Sequence, residues 1–447
     1  MRPAMFQDAP QHHDHPPDAA AAAGPDAPPP PRPANDALPG GRRPRFAPGA
    51  GLFPSALVGG FECSTHRRRR DRRRLDLIEA TRHEAMAAED YAALAARGVL
   101  GARDGVRWHL VERVPGVYDW SPVLPLVRAA RAAGVRVAWD LCHYGYPDHL
   151  DPWDAPRFAE AFARYAAAFA RLAAEEEGAP PALCPINEIS YWAWAGGEVG
   201  AMNPFARGRG GGLKSALLGA SLAAARAVRE AVPGARLLSA EPAINVMPRL
   251  GADEEEREAV EGHRMSQYEA TDVLLAAGAL DVVGVNFYHN NQWVQRSGEM
   301  IPVGHPRHRP FRDTLAEVAA RYPGVPLFVT ETSIEGEVRA PWLRHVGEEV
   351  RAAIRAGVPV GGICWYPIAD HPGWENGRYC PNGLFAMTPR HGRRPVHAPL
   401  DAELARQRDL FEAMARGEPV EEDAGAAEAY AEAARALGAR SVNAVSA

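Results

Sequence analysis

The sequence predicts an α/β fold: a (β/α)8 TIM barrel with enlarged βα loops, preceded by a disordered N-terminal leader. Short β-branched apolar runs alternate with longer Ala/Leu/Arg stretches of helical period, the pattern of βα units on a parallel sheet. Eight such units can be traced between residues 51 and 417, the number that a closed parallel barrel requires. The competing doubly wound sheet needs a Gly-rich phosphate loop after its first strand. The sequence offers none there: the glycines from 208 to 212 have no strand ahead of them and lack the Gly-Lys-Ser/Thr ending of a P-loop.

Residues 1–50 are rich in Pro, Ala, Asp and His and can bury too little apolar surface to offset the entropy of ordering, so a leader without fixed structure is expected. Strands are expected at 56–61, 105–110, 135–141, 182–187, 236–239, 281–286, 326–330 and 360–365. Helices are expected at 88–97, 121–133, 155–176, 213–231, 254–277, 312–321, 340–356 and 400–414. Gly134 and Gly357 stand just ahead of the third and eighth strands, where the C-cap of a tight αβ turn favours glycine. The barrel thus spans 51–417. Residues 418–447 form an acidic, Ala/Glu-rich tail, expected as one solvated helix.

Hydrophobic residues make up 46% of the 447 and charged residues 24%, ordinary for a globular chain long enough to bury a large core. A net charge of −6 gives no global reason to expect nucleic acid or an anionic membrane as partner. The cysteines, Cys63, Cys142, Cys184, Cys364 and Cys380, are odd in number and lack C-x-x-C pairing, which argues against a disulfide framework and a zinc site. Without a signal-peptide core or a long apolar run, a cytoplasmic location is expected.

Working residues of a parallel barrel gather at the C-terminal ends of its strands. The first strand ends in Glu62-Cys63-Ser64, the second in Arg107-Trp108-His109, and the third in Asp140 and Cys142-His143-Tyr144. The fourth delivers Asn187-Glu188, the fifth Glu241, the sixth Asn286, Tyr288 and His289, and the seventh Glu331. The eighth ends in Trp365-Tyr366, with Asp370, Trp374 and Glu375 following. Acids, amides and aromatic rings with few aliphatics suit a sugar, whose hydroxyls need paired donors and acceptors and whose apolar face stacks on rings. Two glutamates on the ends of separate strands are what a retaining glycosidase uses, one as acid/base and one as nucleophile, with the carboxyls about 5–5.5 Å apart.

On these residues the chain resembles the clan A (β/α)8 glycoside hydrolases, most closely the family-1 β-glucosidase type. Asn187-Glu188 and Thr330-Glu331 match the acid/base and nucleophile strands. The stretches around Val106-Arg107-Trp108 and Pro115-Gly116-Val117-Tyr118-Asp119-Trp120 resemble the second strand and the segment after it. Trp139-Asp140-Leu141-Cys142-His143-Tyr144 resembles the third-strand histidine stretch, and Val283-Gly284-Val285-Asn286-Phe287-Tyr288 the sixth-strand Gly-x-Asn-x-Tyr. Trp365 with Asp370-His371-Pro372-Gly373-Trp374-Glu375 resembles the eighth-strand region, so the resemblance covers roughly residues 52 to 390.

The resemblance implies a retaining O-glycoside hydrolase or transglycosylase that acts on a small carbohydrate or glycoside, with no metal and no cofactor. It implies Glu331 as nucleophile, kept ionised by Arg107 and oriented by Tyr288, and Glu188 as acid/base. Asn187 would bind the sugar 2-hydroxyl, His143 and Glu375 other hydroxyls, and Trp365 would floor the ring. Glu62 and Trp374 complete the candidate binding set. The alternative reading is a catalytically silent barrel that binds a carbohydrate or nucleotide-sugar partner.

The sequence departs from the family pattern where Ile189, not proline, follows Glu188, where Thr332-Ser333 follow Glu331, and where Glu62 and Ser64 stand near the first strand in place of a glutamine. These changes leave the glycone open. The run of arginines in 67–74 is expected as a solvated or acid-paired loop at the barrel mouth, with nucleic-acid contact or binding of an anionic group on the substrate as the functional alternatives.

Overall fold

The computed structural model describes residues 46–445. Eight parallel strands form a closed barrel: β1 (Leu57–Gly60), β2 (Gly101–Gly105), β3 (Arg136–Cys142), β4 (Ala182–Ile186), β5 in two pieces (Arg236–Leu237 and Glu241–Pro242), β6 (Val283–Asn286), β7 (Leu327–Thr332) and β8 (Val360–Trp365). Each pairs with its neighbour in chain order, and β8 returns to β1 with Val58 opposite Cys364. The first piece of β5 pairs with β4 and the second with β6, so the sheet closes across the break.

Helices alternate with the strands: α1 (His83–Ala95), α2 (Leu124–Ala133), α3 (Ala155–Glu177), α4 (Gly210–Ala231), α5 in two pieces (Glu254–Met265 and Glu269–Ala276), α6 (Phe311–Arg321), α7 (Arg339–Arg355) and α8 (Ala398–Arg416). The expected single helix over 254–277 is broken by a 3-10 turn at Ser266–Tyr268. Gly134 caps α2 at φ +69°, and Gly357 follows α7 at φ +93°, conformations that glycine adopts without steric cost.

Alternation along the strands separates two apolar layers. Trp108, Trp139, Tyr165, Phe162 and Trp342 fill the layer between strands and helices. Val58, Ala138, Cys184, Leu238, Phe328 and Cys364 fill the barrel, and its lower end is plugged by Ala50, Leu52 and Phe53, with the Phe53 ring 5.2 Å from that of Phe328. Residues 1–45 of the expected leader lie outside the described residues, while 46–50 already pack: Phe46 lies 6.0 Å from Phe411. The C-terminal segment forms a helix, α9 (Ala426–Val445), but it is docked rather than solvated. Its Tyr430 is buried against Trp342, ring centroids 5.0 Å apart, and Asp423 ahead of it pairs with Arg344 at 2.7 Å.

The second strand corrects the sequence reading. It lies at 101–105, not 105–110. Val106, Trp108 and Leu110 give the expected alternation, but Arg107 adopts φ +56° and residues 108–111 turn into a short helix. The true strand, Gly-Ala-Arg-Asp-Gly, carries a charge on each face and no β-branched residue, so hydrophobic patterning passes over it.

Candidate active site

At the C-terminal mouth of the barrel, Glu188 follows β4 and Glu331 lies near the end of β7, 4% and 1% exposed. Their partners differ. Glu331 Oε1 accepts from Arg103 Nη1 at 2.9 Å and its Oε2 from the Tyr288 hydroxyl at 2.8 Å. Among the described residues Glu188 meets no cation: its Oε2 accepts from the Tyr144 hydroxyl at 2.7 Å and its Oε1 from Asn286 Nδ2 at 2.8 Å. Burial, reinforced by the charge on Glu331, pushes the Glu188 carboxyl up to about 8. Burial also raises Glu331, but Arg103, His143 and Tyr288 oppose it. Of the two, Glu331 has the Arg103 guanidinium beside it to favour its carboxylate, whereas for Glu188 the charge on Glu331 adds to burial.

Arg103 organises the floor. Fully buried on β2, it donates through Nη2 to Asp140 Oδ2 at 2.7 Å and to Asn187 Oδ1 at 3.0 Å, and through Nη1 to the Thr330 carbonyl at 3.0 Å. One guanidinium thus ties β2 to β3, β4 and β7. Burial costs Asp140 stability as an anion, yet Arg103 and His143 hold its carboxyl below the usual range.

With Asn187 Oδ1 committed to Arg103, its Nδ2 must donate, to the Tyr144 hydroxyl at 3.0 Å and to His143 Nε2 at 3.1 Å. The His143 proton therefore sits on Nδ1, 3.0 Å from Asp140 Oδ2. Cys63 Sγ, Asp140 and His143 lie within 4.8 Å of one another, spacing that could suit a cation. A donating Nδ1 and the Arg103 guanidinium on the same Asp140 oxygen fit a hydrogen-bonded floor better than a ligand set.

Neither a protein-family model nor a curated protein matches the sequence. Solved structures do. The β-glycosidase BGL167 gives a TM-score of 0.61 over 76% of this chain and 88% of its own, at 21% identity. A hyperthermophilic β-glucosidase mutant gives 0.65 over 78% and 98%, at 15% identity. The family 1 β-glucosidase of Thermotoga maritima gives 0.60 over 74% and 87%, at 17% identity. The fold is that of the family-1 β-glucosidases.

Within this β-glucosidase-type barrel the expected site residues divide into two groups. Asn187, Glu188, His143, Tyr288 and Glu331 come together around one point, as the contacts above describe. Arg107 does not join them. Its guanidinium pairs with Glu84 at 2.6 Å and Asp76 at 3.3 Å, and the contact expected of it with Glu331 is made by Arg103. Trp365 turns outward into the strand–helix layer, its Nε1 donating to the Asn382 carbonyl at 2.9 Å. Tyr366 faces the barrel instead, its ring parallel to His143 with centroids 6.0 Å apart and with Arg103 5.2 Å over its face.

Glu62 lies beside this ring, accepting from the Ser64 N–H at 3.0 Å with the Tyr366 hydroxyl at 3.5 Å. Trp374 is half-buried at the rim, 4.9 Å from His66 and 5.8 Å from Tyr144. Glu375 is already occupied: its two oxygens accept the backbone N–H groups of Arg69 and Arg70 at 2.7 and 3.2 Å. The arginine run forms a hairpin that is partly acid-paired, with Arg67 and Arg74 sharing Asp148 and Arg68 pairing with Asp71.

Arg103, Tyr144 and Tyr366 were not in the expected set. A lone arginine inside a strand with no apolar run was the available signal for the first. Tyr144 and Tyr366 were placed at the ends of the third and eighth strands but given no role, and only side-chain direction distinguishes them from their neighbours.

Proposed function

We propose that the chain is a retaining O-glycoside hydrolase, or a transglycosylase, acting on a small glycoside. The carrying observation is the asymmetry of the two buried glutamates: a cation and a phenol on Glu331, two neutral donors on Glu188. In the first step the Glu331 carboxylate attacks the anomeric carbon while Glu188 gives its proton to the departing glycosidic oxygen. Forming the ester removes the charge on Glu331 that had raised Glu188, so Glu188 becomes the stronger acid and then acts as base on water or a second sugar. Arg103 fixes Asn187 and Glu331 together. The likeness of the fold to β-glucosidases supports the substrate class.

The test is a panel of 2-deoxy-2-fluoro glycosides read by intact mass and peptide mapping. Covalent labelling at Glu331, lost in Glu331→Gln, is the expected result. Labelling at another residue would overturn the mechanism, and no labelling by any sugar would favour a silent carbohydrate-binding barrel.

A further inference from the structure

Glu188 sits at φ +44°, ψ +61°, in the left-handed region, where a residue with a Cβ is strained by about 1–2 kcal/mol. Something must hold it there. Its own N–H donates to the Ala240 carbonyl at 2.8 Å, and the residue after Ala240 is Glu241, the first residue of the second piece of β5. Glu241 Oε1 accepts the N–H of Ile189 at 2.6 Å and its Oε2 that of Ser190 at 3.1 Å. Strand five therefore grips Glu188 from both sides. The gap in β5 ends at Ala240, whose carbonyl meets Glu188 where the turn after β4 begins, and Glu241 next to it stays registered against Val285 of β6.

The grip is matched to a peculiarity of this chain. A proline after the acid/base glutamate would bring no N–H to this turn. Ile189 brings one, nearly buried, and Glu241 takes it.

We propose that Glu241 is a positioning residue for Glu188: it binds the two N–H groups that follow Glu188, fixes the left-handed backbone that sends the carboxyl between Tyr144 and Asn286, and sets a second negative charge behind it. The inference rests on Glu188 being the acid/base. The groups facing Glu188 are Glu331, Tyr144, Tyr191, Asn286 and Glu241; Lys214 is the cation acting on Glu241. Burial raises the Glu241 carboxyl to about 7, against the pull of the Ser190 and Ile189 N–H groups.

Glu241→Gln replaces one accepting oxygen with an amide that cannot accept, and removes the charge. On alkyl glycosides, which need the proton, kcat/KM is expected to fall at least about tenfold, with its basic limb moved down by about one pH unit. With a dinitrophenyl glycoside, whose leaving group needs no proton, the rate of Glu331 labelling should stay within about threefold. Equal losses on both substrates would mean a purely structural role and overturn the proposal. Glu241→Asp, shorter but charged, should lose rate on alkyl glycosides while keeping the wild-type limb.

A reading independent of turnover uses the 13C carboxyl signal of Glu188 in the unsubstituted protein. It should show a second inflection where Glu241 titrates. A single inflection would overturn the coupling even if both variants fail to fold. Should the protein label with no sugar, the glycosidase reading falls, while this titration still decides whether Glu241 acts on Glu188.

Discussion

At position 103 a guanidinium with no solvent contact donates to Asp140, Asn187, Glu331 and the Thr330 carbonyl. Removing it leaves two buried carboxylates without their cation, a loss of about 3–5 kcal/mol for a broken buried pair. Arg103→Met should therefore lower stability in urea by that order and reduce kcat/KM by more than about a hundredfold. Arg107→Met, which breaks pairs with Asp76 and Glu84 away from the carboxylates, should leave kcat/KM of the folded enzyme within a few fold; equal losses would reinstate the assignment drawn from the sequence. Tyr144 gives a prediction of opposite sign to Glu241. Its hydroxyl donates to the ionised form of Glu188, so Tyr144→Phe should raise the Glu188 pKa and carry the basic limb of kcat/KM, expected near pH 8, to higher pH. A limb that stays or falls would remove Tyr144 from the acid/base environment.

Among the elements, β1 is the one whose sequence is most tightly tied to the site. A Cβ on Gly60 would lie 2.1 Å from the Tyr366 ring, and that ring has Arg103 over its face and His143 parallel to it. Gly60→Ala should cost about 1–3 kcal/mol, as overpacking does, and should lower activity further than a matched loss at a remote site. Urea denaturation and kcat/KM on the same sample check both, and unchanged kinetics would place Tyr366 outside the working face. The break in β5 has a comparable consequence. Glu241 opens the second piece opposite Val285 of β6, and from there its side chain reaches the N–H groups of Ile189 and Ser190 after β4.

Across the whole molecule the buried titratable groups set opposing slopes of stability with pH. Burial lowers His66 to about 3 and His289 and His308 to about 4. These groups fold in the neutral form, so their contribution is lost as pH falls from the unfolded histidine value toward 4. Glu188 and Glu241, raised by burial to about 8 and about 7, bind protons more tightly folded than unfolded, so the stability they carry is lost as pH rises from the ordinary carboxylate range up to those values. His83 acts in the same direction: against burial, Asp104 and Asp90 raise it to about 9, and the stability of that cluster is lost as pH rises to 9. The melting temperature should therefore peak near pH 6–7 and decline on both sides. A plateau from pH 7 to 9 would contradict the buried assignments.

Residue order and hydrophobic period were enough to show the barrel class and seven of its strands, because most strands bury both faces and each helix one, and that leaves a pattern in the chain; the second strand, with a charge on each face, was misplaced. They were also enough to place Asn187-Glu188 and Glu331 at the ends of two strands. Tertiary structure alone decided which arginine meets Glu331. The working one lies in a strand with no apolar run, where its charge is tolerated only because carboxylates from β3 and β7 converge on it. It also decided that Tyr366 rather than Trp365 faces the barrel. Side chains on one strand alternate by position, and the phase of that alternation is fixed by register with neighbours distant in the chain.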